Sequence, residues 1–129
     1  MFNYGTDNNR QIPFPCIVIR AKRPENPDIS AQTEAIIDTG ASMTCLPRKL
    51  IDALGRDNLV YDELAVAGVI GMQHMRSFVV DMEIAKCTFT RIEVIEIEKE
   101  FALIGRDILN NYILTFNGPG LTWSVDAQC

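Results

Sequence analysis

The chain has 129 residues, 47% of them hydrophobic and 22% charged, with 12 Lys plus Arg against 17 Asp plus Glu for a formal charge of -5. That composition argues against a disordered polypeptide, and the acidic balance argues against nucleic acid as a partner, since phosphate binding needs a concentrated basic face. No apolar run reaches the roughly 20 residues of a membrane span, and the start, Met1-Phe2-Asn3-Tyr4-Gly5-Thr6-Asp7, lacks the basic and apolar regions of a signal peptide, so one cytoplasmic domain over residues 1–129 with no membrane segment is expected.

Residues 1–11 are polar and rich in asparagine, which predicts a loose N-terminal arm. Residues 16–21 are a β-branched run suited to a strand, with Pro13 and Pro15 confining its entry. Residues 22–30 have turn composition and predict a solvated hairpin loop. A second strand over 32–38 contains Ala35-Ile36-Ile37 and stops abruptly at Asp38-Thr39-Gly40-Ala41-Ser42. A carboxylate directly after a buried strand is unusual, because an unpaired buried charge is costly.

Pro47 suits a first helical position, and 48–54 places Leu50, Ile51 and Leu54 on one helical face before Gly55. A strand over 61–66 leads into Gly68-Val69-Ile70-Gly71 and returns through Phe78, Val80, Met82 and Ile84, which alternate onto one face: a long hairpin with a glycine-rich tip. The strand over 87–98 changes parity between Ile92/Val94 and Ile95/Ile97, as at a bulge or a change of sheet. Residues 102–104 form a short strand stopped by Gly105, after which Ile108, Leu109 and Tyr112 share a helical face. The remainder is two strands around Asn117-Gly118-Pro119-Gly120. This is an all-β barrel or sandwich with one or two short helices and no repeat.

Cys16, Cys45, Cys87 and Cys129 lie far apart with no C-x-x-C pair, so neither a zinc site nor a redox motif is suggested, and free thiols in a reducing compartment are expected. Cys129 reads as a frayed end, and His74, without companions, takes no role. No metal and no cofactor are called for.

Two elements carry chemistry: Ile36-Ile37-Asp38-Thr39-Gly40-Ala41-Ser42 and Ala102-Leu103-Ile104-Gly105-Arg106-Asp107. Together they resemble the retroviral-type aspartic proteases, the retropepsins, in which apolar-apolar-Asp-Thr/Ser-Gly-Ala is followed by apolar-apolar-Gly-Arg and a short helix. Gly105 follows Asp38 by 67 residues, and the glycine-rich hairpin lies between them where that family keeps its flap. The resemblance implies a retropepsin-like barrel with one half-site per chain, and a bacterial or cellular member by its Asn117-Gly118-Pro119-Gly120-Leu121-Thr122-Trp123 ending.

The chemistry agrees. Metal-free peptide hydrolysis needs a base to activate water and an acid to protonate the carbonyl and then the amine, and two adjacent carboxylates sharing one proton do both, an arrangement for which aspartic proteases are the standard illustration. This chain holds one Asp-Thr-Gly. The second carboxylate must come from another copy, and a twofold homodimer sets Asp38 opposite its own equivalent.

Asp38, Thr39 and Gly40 are thus the candidate catalytic loop: Gly40 permits the sharp turn, and by resemblance Thr39 ties the two loops together. Ala41 is small enough for a substrate backbone to lie against. The resemblance implies a flap at Gly68, Val69, Ile70 and Gly71, and subsite walls from Met43, Cys45, Met72, Phe101 and Leu103 along with Val69 and Ile70, favouring apolar side chains beside the scissile bond. Gly105 and Arg106 are structural; Arg106 lacks the aspartate that viral members place where Ser42 stands, which leaves its partner open. Asp107 reads as a helix cap rather than a catalytic acid. The competing readings are a retropepsin-like peptide-binding or dimerisation module without catalysis, and an unrelated small barrel in which Asp38 caps a turn.

Overall fold

The computed structural model describes residues 1–6, 12–68, 71–127 and 129. In chain order they form β1 (Phe2–Gly5), β2 (Phe14–Arg23), β3 (Asn26–Ile37), β4 (Cys45–Pro47), α1 (Arg48–Leu54), β5 (Tyr61–Gly68), β6 (Gly71–Ile84), β7 (Cys87–Ile97), β8 (Ala102–Ile104), α2 (Arg106–Leu109), β9 (Tyr112–Asn117) and β10 (Thr122–Ala127). The strands follow the order β5-β6-β7-β4-β8-β3-β2-β1-β10-β9, and a further β2–β6 pairing at Ala21↔Met82 folds this sheet back on itself. The all-β architecture with two short helices is therefore observed.

Strands β2 and β3 pair antiparallel through Ile17↔Ala35 and Ile19↔Thr33, burying Ile17, Ile19, Ala21 and Ala35. Their ladder continues to Lys22↔Ser30 and Arg23↔Asn26, so 22–30 is mostly strand and not a solvated loop. Its polar residues bond neighbouring strands: Ser30 Oγ accepts from Arg20 Nη1 at 3.0 Å, and Lys22 pairs with Glu83 on β6. Turn composition misled because an outward strand face tolerates the same residues.

The N-terminal segment also differs from a loose arm. β1 pairs with β10 at Phe2↔Trp123 and with β2 at Tyr4↔Pro15, and the Phe2 ring stacks on Trp123 with centroids 4.8 Å apart. Two aromatic anchors outweigh the polar composition around them; residues 7–11 of the expected arm lie outside the described residues.

In α1 the predicted face, Leu50, Ile51 and Leu54, is buried, and Gly55 closes the helix in the left-handed region at φ 86°. Arg23 Nε donates to the last carbonyl, Leu54 O, at 2.9 Å. Pro47 precedes the helix as its N-cap residue. The bulge expected in β7 is present but earlier: the register passes from Val80↔Ile92 to Met82↔Phe89, leaving an extra residue near Arg91, whose φ is 51° and whose N–H bonds Asp81 Oδ1 at 2.8 Å. Val94 and Ile95 are both buried, so the parity change marks a stretch covered on both faces. Tyr112 opens β9 instead of extending α2, which is a single turn.

Two cysteines expected as free thiols are bonded. The β9–β10 hairpin brings Cys129 to Cys87, a pairing 42 positions apart that spacing alone does not reveal, while Cys16 and Cys45 are free. Among the described residues no helix is long and apolar enough to cross a membrane.

Candidate active site

The two elements set apart by sequence meet because β8 runs parallel to β3, with Ala35↔Ala102, Ile36↔Leu103 and Ile37↔Ile104 in register. Both strands end together, and the loops beyond them, 38–44 and 105–107, lie side by side. The Asp38 N–H donates to Ile104 O at 3.0 Å, the Arg106 N–H to Ala41 O at 2.9 Å, and the Asp107 N–H to Ser42 O at 3.3 Å.

Within the first loop the Ala41 N–H returns to Asp38 O at 3.2 Å, and Asp38 Oδ1 accepts from the Gly40 N–H at 3.0 Å. A Cβ on Gly40 would stand 3.2 Å from that same oxygen, so glycine keeps the carboxylate uncrowded. Asp38 and Ala41 are half-buried while Thr39 and Gly40 are exposed, so the loop presents its carboxylate at the surface.

Arg106, for which the sequence offered no partner, donates from Nη1 to the Thr39 carbonyl at 2.9 Å, bracing the loop through backbone. Gly105 is required by space: a Cβ there would meet the Met43 carbonyl carbon at 2.7 Å and the Ala41 oxygen at 3.0 Å. Asp107 is not the helix cap expected from the sequence, because Gly105 is the N-cap residue of α2 and Asp107 lies within its first turn, where its carboxylate ties the loops together. One carboxylate oxygen accepts from the Thr44 hydroxyl at 2.8 Å and from the Ile108 N–H at 2.9 Å, and the other from the Thr44 N–H at 3.0 Å. Thr44, fully buried, in turn accepts the Gly105 N–H at 3.1 Å. Sequence reasoning passed over Thr44, although a lone hydroxyl inside Met43-Thr44-Cys45-Leu46 was a signal, because a buried polar group needs partners.

The expected subsite residues separate by strand geometry. On β8, Ala102 and Ile104 enter the core and Leu103 points to the other side, half-exposed; its antiparallel partner Cys45 is half-buried likewise. Met43 and Phe101 are also half-exposed, so these four side chains lie outside the packed core. The hairpin of β5 and β6 pairs through to Gly68↔Gly71, with Met72 65% exposed beside it. Val69 and Ile70 lie outside the described residues.

Burial, then the negative charges of Asp107 and Asp38, push the Cys45 thiol up to about 11. A nucleophilic cysteine needs the opposite shift, so Cys45 is a neutral thiol beside the loop and not a thiolate. Among the described residues no cluster of His, Cys, Asp or Glu is arranged to hold a metal ion.

The ends of β3 and β8 thus carry a loop headed by Asp-Thr-Gly and braced by Gly-Arg-Asp across a parallel strand pair. The sequence model described as "gag-polyprotein putative aspartyl protease" matches residues 30–111, and the chain belongs to that family. Among solved structures it is similar to EIAV protease complexed with the inhibitor HBY-793, at 17% identity and a TM-score of 0.54 over 82% of this chain and 92% of that one, a likeness that shows the retropepsin-like fold. No curated protein matches.

Proposed function

We propose that this chain is an aspartic endopeptidase whose active site is completed by a second copy, with Asp38 of each protomer facing the other across a twofold axis. The observation that supports this best is the disproportion at the site: an elaborately braced, surface-presented loop carries a single carboxylate in its catalytic motif. Family membership adds to it.

A water held between the two Asp38 carboxylates loses its proton to the ionised one as its oxygen attacks the peptide carbon. The protonated one gives its proton to the carbonyl oxygen. In the collapse of the tetrahedral intermediate, the C–N bond breaks and the amine leaves with a proton returned by the dyad. Thr39 and Gly40 shape the loop on each side, and Arg106 keeps Thr39 in place. Met43, Ala41, Cys45, Phe101 and Leu103 offer apolar side chains to the substrate, and the β5–β6 hairpin, including Gly68, Val69, Ile70, Gly71 and Met72, closes over it to exclude water.

The test is hydrolysis of an unfolded polypeptide by the parent and by Asp38→Asn, with cut sites mapped by mass spectrometry. Cleavage confined to the parent, rising more steeply than linearly with protomer concentration, is expected. Equal cleavage by Asp38→Asn overturns the proposal; peptide binding without cleavage by the parent would establish a binding module instead.

A further inference from the structure

The Cys87–Cys129 disulfide lies apart from the Asp38 loop and takes no part in the hydrolysis described above. What it fastens is a ribbon. β9 and β10 pair along their whole length, from Tyr112↔Ala127 to Asn117↔Thr122, but β1 covers β10 only at Thr122 and Trp123. Among the described residues, Ser124–Ala127 have no strand neighbour except β9, and the outer edge of β9 is unpaired. Two strands standing alone are marginally stable in water.

Besides the short β1 ladder and the packing of Leu114 and Val125 on the core, three side-chain bonds hold this ribbon to the body. Trp123, buried at 2%, donates from Nε1 to Cys16 O at 3.1 Å. The other two converge on one place, the β6–β7 turn: Tyr112 Oη donates to Ile84 O at 2.8 Å with Phe89 edge-on to its ring, and Cys129 bonds Cys87. That turn has Ala85 and Lys86 at φ 47° and 71°, a left-handed pair built without glycine. Such a turn is held by what is attached to it.

The free edge has a matching use. Ile113 and Phe116 on β9 are 61% and 44% exposed, and Leu121 in the connecting turn is 45% exposed. An antiparallel ladder between an edge strand and its own copy is self-complementary about a twofold axis, the same symmetry the Asp38 pair requires. The ribbon also begins just after α2, whose Arg106 grips the Thr39 carbonyl, so disorder in one is felt by the other.

We infer that the Cys87–Cys129 disulfide is a redox latch on dimer assembly: closed, it holds the β9–β10 ribbon so that its free edge pairs with that of a second copy, and opened by a dithiol it lets the ribbon fray and the half-sites part. This rests on the two-copy reading of the site. In the opening step a thiolate of the dithiol attacks one sulfur, giving a mixed disulfide. Its second thiolate then expels the protein cysteine, leaving two protein thiols and one oxidised, cyclic dithiol. The free thiols do not compete, because burial raises both Cys16 and Cys45 to about 11 and keeps them protonated at neutral pH.

The experiment uses the full chain prepared without reductant. Alkylation of the unfolded protein counts thiols by mass, and sedimentation equilibrium gives the dimer dissociation constant before and after dithiothreitol, for the parent and for Cys129→Ser. The latch predicts two alkylated cysteines before reduction and four after, a dissociation constant raised at least tenfold by reduction, and a Cys129→Ser protein with the reduced value and no response to dithiothreitol. Four thiols in the untreated protein, constants within twofold of each other, or monomers in both states overturn it. Repeating sedimentation on Asp38→Asn separates the two claims: a latch-dependent dimer without hydrolysis by the parent sinks the peptidase reading alone.

Discussion

Replacing Thr44 by valine removes one oxygen and keeps the shape of the side chain, so its effect isolates the hydrogen bonds that join the two site loops. Two are lost: the 2.8 Å bond from the hydroxyl to Asp107 and the 3.1 Å bond it receives from the Gly105 N–H. The Thr44 N–H keeps its bond to the other Asp107 oxygen. Gly105 is buried, so its N–H is left without a partner, at a cost of about 1–3 kcal/mol. The bond to a charged acceptor is worth about 1.5–3 kcal/mol in general, but the exposed Asp107 carboxylate recovers part of that from water. The sum is roughly 2–4 kcal/mol. With a urea m-value of about 2 kcal/mol/M, the unfolding midpoint should fall by about 1–2 M at fixed protomer concentration. Thr44→Ser, which restores the hydroxyl and gives up one methyl, should lose only about 1 kcal/mol. A valine variant within about 0.5 kcal/mol of the parent, the range of an unremarkable surface change, would refute the idea that this threonine joins the loops.

Gly105→Ala should be destabilising by about 1–3 kcal/mol, because its new methyl meets backbone of Met43 and Ala41 that cannot swing aside; a thermal melt reads this as a fall of several degrees. Arg106→Met should change the melting temperature little, since the side chain is exposed, yet lower peptide hydrolysis about tenfold, the equivalent of roughly 1.4 kcal/mol, through loss of the bond to the Thr39 carbonyl. Equal hydrolysis by that variant would remove Arg106 from the positioning of the loop. Burial raises Cys16 and Cys45 from 9.0 to about 11, so in the folded state both hold their protons more tightly than in the unfolded chain. Their contribution to stability is complete below pH 9 and is lost as pH rises toward 11, and urea titrations across that window should show a slope that Cys45→Ala makes shallower.

The fold was legible where side-chain chemistry repeats along the chain. Alternation in Phe78, Val80, Met82 and Ile84 gave β6, and Leu50, Ile51 and Leu54 gave the buried face of α1. It was illegible where pairing overrides composition: Phe2 and Tyr4 make a strand because Trp123 and Pro15 lie opposite, and nothing local announces that. The same divide runs through the site. Asp38 and Gly40 could be singled out because they sit together in one short motif, and Gly105 because Ile104-Gly105-Arg106-Asp107 is a second motif, although its spatial neighbours are Ala41 and Met43. The Arg106 contact was missed because its acceptor is a backbone carbonyl, which no residue type encodes, and Thr44 because its partners lie 61 and 63 positions away. The disulfide was missed for the same reason, being a product of where β10 ends rather than of cysteine spacing.

The parallel pairing of β3 with β8 has a consequence for the order of events in folding. Contacts such as Arg106 to Thr39 span 67 positions, and closures over that distance are slow relative to local hairpins such as β5–β6 or β9–β10. Until residues 102–107 have docked, the Asp38 loop lacks every bond that braces it from outside, so the Asp38 carboxylate takes its working position only after most of the chain has been made and folded. Under the peptidase function proposed above, this delays the blade until the nascent chain beside it is no longer extended.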